Sequence, residues 1–141
     1  MNSDLRLALG LGLALVVHCA ASAQSTPAAP EAPPPEVQRA GAIEYLNGGA
    51  GEEERAVMTA QQAAFPLRIV FSERGGGYAV VDRLELSQGG ARLATIANAG
   101  PWLMLKLVPG DYALEATFAG KTERRQVKVA GGGTRLDWRL K

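Results

Sequence analysis

The chain has 141 residues, and its 15 Lys or Arg against 14 Asp or Glu give a formal net charge of +1 at pH 7. This balance provides no bulk attraction to nucleic acid or acidic lipid, so no nucleic-acid partner is expected. The single cysteine, Cys19, and the single histidine, His18, both lie within the first 23 residues. Removal of that segment would leave a protein without the thiol and imidazole groups that many nucleophilic and zinc enzymes use.

Residues 1–23 have the layout of an export signal. A short polar start ends at Arg6, an apolar run covers residues 7–17, and Ala-Ser-Ala at residues 21–23 is a small-x-small cleavage site. The apolar run is shorter than the roughly 20 residues that a membrane-spanning helix needs. We therefore expect cleavage after Ala23, a periplasmic or secreted product, and no transmembrane segment in the mature chain.

Lipidation of Cys19 is an alternative fate of this segment. A lipoprotein signal needs a small residue just before the cysteine, whereas Val16, Val17 and His18 precede it here. Lipidation is therefore the less favoured reading, and an uncleaved membrane anchor is a further alternative.

The rest of the chain divides into a linker and one domain. Residues 24–41 are rich in proline and alanine, and such a segment buries little apolar area, so we predict a disordered linker. Residues 42–141 are long enough to bury a core without disulfides, which fits a mature chain that has no cysteine.

A helix is predicted over residues 52–64. Three glutamates at residues 52–54 favour a helix start, and Pro66 ends the segment. Alanine-rich apolar positions recur at helical spacing, so the helix needs a partner surface. These positions are Ala56, Val57, Ala60, Ala63 and Ala64.

From Phe65 onward the apolar period changes to two. Seven short strands separated by glycine-rich turns predict a mainly β fold, a seven-stranded antiparallel sandwich with one N-terminal helix packed on it. The predicted strands cover residues 65–71, 78–87, 91–97, 102–108, 112–118, 121–129 and 136–140.

One of these strands is apolar on both faces. Trp102, Met104 and their neighbours leave no polar side, and such a strand is normally covered on both sides. We predict that the helix packs over Trp102 and Met104. The alternative is an exposed Trp-Met patch that binds a partner.

Residues 106–116, Lys-Leu-Val-Pro-Gly-Asp-Tyr-Ala-Leu-Glu-Ala, resemble the Leu-x-Pro-Gly-x-Tyr hairpin of carboxypeptidase regulatory-like domains. The similarity covers about residues 98–140. It implies a transthyretin-like, or prealbumin-like, β-sandwich. In the metallocarboxypeptidases this module is an accessory without catalytic residues. The Tyr-x-x-Gly-Gly-x-Gly stretch at residues 45–51 is also similar to short exported proteobacterial proteins of unassigned role.

Three local patterns that suggest ligands have simpler explanations. The glycine-rich residues 48–51 precede a helix as in a phosphate cradle, but glutamates follow at once and the P-loop Lys-Ser/Thr pair is missing. Consecutive helical glutamates point in different directions, so they do not converge on a cation. The basic residues of 121–128, Arg124 and Arg125 among them, fit a solvated strand. No metal and no cofactor are expected.

We therefore predict a non-enzymatic, monomeric binding or accessory module of the cell envelope, with a protein or an envelope polymer as partner. The candidate binding surface consists of Tyr45, Asn47, Tyr78 and Trp102.

Two alternatives stay open. One is a carrier that holds a small apolar ligand between helix and sheet, near Val57, Trp102 and Met104. The other is a small hydrolase that uses only carboxylates. Its candidate groups are Asp82, Glu85, Asp111, Glu115 and Asp137.

Overall fold

The computed structural model describes residues 33–141. The predicted export signal, with Cys19 and the cleavage site, lies outside the described residues, as does half of the predicted linker, residues 24–32. Residues 33–37 run without regular structure into the first strand.

The described chain is mainly β, with nine strands and one helix. In chain order they are β1 (Gln38–Ala40), β2 (Ile43–Gly48), α1 (Glu52–Ala60), β3 (Leu67–Ser72), β4 (Val81–Gln88), β5 (Ala91–Ala99), β6 (Trp102–Leu105), β7 (Gly110–Phe118), β8 (Lys121–Val129) and β9 (Thr134–Arg139).

The prediction of seven strands is therefore wrong by two. The seven predicted strands correspond to β3–β9, whereas β1 and β2 were not predicted. Strand β1 has only three residues and lies within residues 24–41, the predicted linker. The composition of β1 does not indicate a strand. It forms one by pairing with β2, where Gln38 lies opposite Tyr45.

The strands form two sheets. One has five strands in the order β1-β2-β6-β3-β9, and the other has four in the order β5-β4-β7-β8. Neighbours are antiparallel in every pair except β3 and β9, which run parallel from Leu67 opposite Thr134 to Ser72 opposite Arg139. The fold is therefore mainly antiparallel, and the one parallel pair among the described strands arises because β9 joins the sheet beside β3.

The two sheets share one apolar core. Alternation along the strands directs Leu67, Ile69 and Phe71 of one sheet inward, where they belong to the same buried cluster as Leu84 and Leu114 of the other. None of these five side chains is more than 1% exposed.

The prediction that the helix covers β6 is confirmed, although through a different residue. Met58 of α1 forms a second buried cluster with Leu46 and Met104, and Trp102 packs against it. The predicted alanine face is wrong, because Ala56 and Ala60 are exposed, whereas Met58 is the buried residue of α1.

The helix also ends four residues earlier than predicted. Tight turns replace the α-helix after Ala60, with the amide of Gln61 donating to Met58 O at 3.1 Å and that of Ala64 donating to Gln61 O at 3.0 Å. None of the helical structure within residues 33–141 has the length and apolar character needed to cross a membrane.

Candidate functional site

Tyr45, the first predicted site residue, is part of the core. Its side chain is only 8% exposed. Its hydroxyl donates a hydrogen bond to Gln38 Oε1 at 3.0 Å, which ties β2 to β1. The ring of Tyr45 therefore does not form a binding surface, and its role is structural.

Asn47 holds the turn between β5 and β6. Its Nδ2 donates to Asn98 O at 2.9 Å, and its Oδ1 accepts from the backbone amide of Gly100 at 2.8 Å. The turn needs this support, because Gly100 has a φ of +107° and a Cβ there would lie 2.8 Å from the Phe71 ring. Asn47 thus positions the start of β6, which carries Trp102.

Tyr78 is the most exposed of the four candidates. It lies before β4 instead of in the predicted strand, and forms an isolated bridge to Ser72. The Arg55 guanidinium carbon lies 5.4 Å from the centroid of the Tyr78 ring. Arg55 also donates to Gly49 O at 3.0 Å, so it links Tyr78 to the loop before α1.

The glycine-rich loop at residues 48–51 is closed by its own helix. Glu54 Oε2 accepts from the backbone amides of Gly49 at 2.8 Å and Ala50 at 3.0 Å. This carboxylate occupies the amides that a bound phosphate would need. The interpretation of the loop as a helix entry agrees with these contacts.

Trp102 lies at the boundary between the covered and the open part of the five-stranded sheet. It pairs with Gly48 of β2 on one side and with Val70 of β3 on the other. The Arg68 guanidinium carbon stands 4.9 Å from the centroid of its ring. Its indole N–H is buried, and within residues 33–141 it has no hydrogen-bond acceptor. Trp102 therefore joins the helix cluster to an arginine on the open part of the sheet.

Next to Arg68 the structure has an open groove of about 500 Å³. We call it the arginine groove. The segment after α1 forms one wall with Phe65 and Pro66, and the glycine turn at residues 131–133 forms the other. Arg68 of β3 and Arg135 of β9 both line it, and they are direct register partners across the parallel pair.

The two arginines of the groove differ in their electrostatic partners. Arg135 binds Asp137 of its own strand, with Nε 2.9 Å from Oδ1. In the described part of the chain, no carboxylate lies within ion-pair distance of Arg68. The groove therefore has a positive charge that the protein does not neutralise.

The arginine groove is not among the sites predicted from the sequence. Alternation in Leu67-Arg68-Ile69 and in Arg135-Leu136-Asp137 does place both arginines on the side opposite the core. However, the two strands are far apart in sequence, and only their parallel pairing brings Arg68 and Arg135 together.

In two other charged clusters the carboxylate already accepts hydrogen bonds from groups of the protein itself. Glu44 accepts from Arg39 at 2.6 Å and from Lys106 at 3.3 Å. The hydrogen bond from Lys106, followed by that from Arg39, lowers the pKa of Glu44. On β8, an edge strand of the four-stranded sheet, Glu123 accepts a hydrogen bond from the Trp138 indole at 3.0 Å, and this bond lowers the pKa of Glu123.

Two of the hydrolase candidates, Glu85 and Glu115, face each other across β4 and β7. Both oxygens of Glu85 are engaged, with Oε1 3.4 Å from Arg83 and Oε2 3.0 Å from Arg92, and its side chain is 15% exposed. Its contacts thus favour a structural role. Among residues 33–141, no three acidic, histidine or cysteine side chains are grouped so as to hold a metal ion.

No model of a known protein family matches this chain, and no curated protein matches it. The Pro-Gly-x-Tyr hairpin has a local physical explanation in the structure, because the Tyr112 hydroxyl donates to Val108 O at 2.7 Å. This bond fixes the chain between β6 and β7. The motif therefore has a structural role at the start of β7, and it identifies no binding residue.

Proposed function

We propose that this chain is a non-enzymatic binding or accessory module of the cell envelope. In this proposal the export segment is cleaved after Ala23, and the domain is a β-sandwich of the prealbumin-like type. The shared core of the two sheets and the hairpin at residues 106–116 support this fold assignment. The partner is a protein or an envelope polymer.

The observation that carries the proposal is the open half of the five-stranded sheet. Helix α1 covers β2 and β6, while β3 and β9 present the arginine groove. Because Arg68 and Arg135 stand on paired strands, their backbone positions are fixed before a ligand arrives, which lowers the entropy cost of binding. A rigid, charged and accessible site of this kind suits binding.

The packing under α1 gives less support to an apolar-ligand carrier. Leu46, Met58 and Met104 fill the helix–sheet interface and have no exposed surface. A ligand in that place would have to displace the protein's own side chains, at a cost comparable to that of opening a core.

The binding proposal is tested with isolated envelope material and the protein purified after export. The double variant Arg68→Ser, Arg135→Ser should retain at most about a tenth of the binding, because charge-assisted contacts carry such a site. The matched control is Arg83→Ser, Arg92→Ser, which removes the same charge from the other sheet. Equal binding by both variants would refute the groove as the binding surface.

The export proposal has its own test. Intact-mass analysis of the protein recovered from the periplasm or the medium should show a chain that begins at Gln24. A mass that includes residues 1–23, or one with lipid attached to Cys19, would overturn the cleavage site.

A further inference from the structure

We propose that the arginine groove binds a phosphate group. The proposal rests on the binding function above and names the class of its ligand, a molecule that presents a phosphate on the envelope side. It concerns Arg68 and Arg135 together with the glycine turn at residues 131–133.

The first argument is the placement of like charges. Arg68 and Arg135 are directly opposite each other on neighbouring strands, which lie about 4.8 Å apart. Like charges in this arrangement destabilise a sheet. Each guanidinium has a partner elsewhere, Arg68 on the Trp102 ring of β6 and Arg135 on Asp137. An anion in the groove would attract both guanidinium groups and so offset the repulsion between them.

The second argument is the shape of the site. The groove, at about 500 Å³, has room for a phosphate and part of the molecule that carries it. The glycine turn that forms one wall is exposed and has no side chains. Its backbone is therefore open to close approach, as in the glycine-rich turns that hold phosphates elsewhere.

The third argument distinguishes phosphate from carboxylate. One guanidinium is sufficient to bind both oxygens of a carboxylate. A phosphate has three or more oxygens and a charge of up to about −2, so it can engage two arginine forks at once. The pairing of two arginines therefore favours the tetrahedral anion.

Trp102 contributes by holding Arg68 in place. A guanidinium stacked on an indole keeps its five donors free at the edge of the plane. Arg68 therefore needs little ordering when it binds, and Trp102 acts as a positioning residue that does not itself touch the anion.

The experiment is calorimetric titration of the full chain with inorganic phosphate at low salt, with acetate as the comparison anion. We expect saturable phosphate binding, which Arg68→Ser weakens about tenfold or more, and Arg68→Lys weakens less because it keeps the charge but loses the fork. Arg139→Ser is the matched control, since Arg139 is an exposed arginine of β9, the strand of Arg135, and does not line the groove. It should bind as the unaltered chain does.

A variant that should bind phosphate more tightly completes the series. Asp137→Asn releases Arg135 from its carboxylate, so phosphate should bind a few times more tightly. Thermal melts confirm that each variant is folded. Equal affinity for acetate, or equal weakening by Arg68→Ser and Arg139→Ser, would overturn the proposal, as would failure of the unaltered chain to bind either inorganic phosphate or vesicles that present a phosphate.

Measuring vesicle binding distinguishes a phosphate carried by a lipid headgroup from a soluble phosphate ion. Binding to vesicles with a phosphate monoester headgroup, sensitive to Arg68→Ser, assigns the group to a lipid, and binding of inorganic phosphate alone assigns it to a soluble ion. If neither binds while envelope binding still depends on the two arginines, the phosphate assignment fails and the binding function stands. If envelope binding is also insensitive to them, both proposals fail.

Discussion

The outer face of the five-stranded sheet has two halves with opposite chemistry. Under α1 it is apolar, with Leu46 and Met104 fully buried. On β3 and β9 it carries Arg68, Arg135 and Asp137 and remains open. Both halves turn the same kind of apolar surface toward the core. The side chains that face away from the core thus indicate which part of a sheet another element covers and which part is free to bind.

The largest expected effect comes from opening the covered half. Met58→Ala removes the one helix side chain that is fully buried against the sheet, so the free energy of unfolding should fall by about 2–5 kcal/mol. Ala60→Ser, at an exposed position of the same helix, should change it by less than about 0.5 kcal/mol. Urea unfolding of both variants checks this. Similar losses from both would mean that the helix does not depend on Met58.

The next largest effect concerns Trp138, which lies on the core side of β9. Glu123→Ala leaves the indole N–H of fully buried Trp138 without its acceptor, which should cost about 1–3 kcal/mol of unfolding free energy. The control is Asp82→Ala, which removes an exposed carboxylate and should cost less than about 0.5 kcal/mol. The same urea measurement applies, and a loss no greater than that of the control would show that the bond contributes nothing.

The pH dependence of stability sharpens this second comparison. The Trp138 bond lowers the pKa of Glu123 below its ordinary value of 4.5. A carboxyl group with a lower pKa in the folded chain stabilises the fold above the unfolded value, and this contribution is lost as the pH falls through the folded pKa. The stability difference between the unaltered chain and Glu123→Gln should therefore be full at neutral pH and shrink below 4.5. Its persistence unchanged in acid would contradict the assignment.

The smallest expected effect lies at the boundary between the two halves. The Trp102 N–H is buried without an acceptor, so Trp102→Phe loses no hydrogen bond there and should change the unfolding free energy by no more than about 1 kcal/mol. Trp138→Phe, which loses the bond to Glu123, is the matched comparison and should cost more. Equal costs in a thermal or urea melt would show that the two indole N–H groups are equivalent.

Much of the architecture follows from local patterns in the sequence. Alternation predicted strands that correspond to β3–β9, and the apolar Trp102 and Met104 correctly indicated a cover over β6. The start of the helix at Glu52 also agrees with its three glutamates. These features depend on neighbouring residues, which a sequence displays directly.

What sequence reasoning missed depends on distant partners. The three residues of β1 have no apolar pattern and form a strand only because β2 pairs with them. Tyr45 looked like a surface aromatic, although it is buried in the core. The arginine groove needs the register of Arg68 with Arg135, and no local pattern contains that register.

The parallel pairing of β3 with β9 also has a kinetic consequence. Leu67 meets Thr134 only after the chain between them has been made, and contacts over such a separation form slowly. One side of the groove therefore stays missing until β9 docks. A product truncated before Thr134 would keep Arg68 but lose its register partner, so the anion affinity proposed for the groove would serve as a test of completed folding.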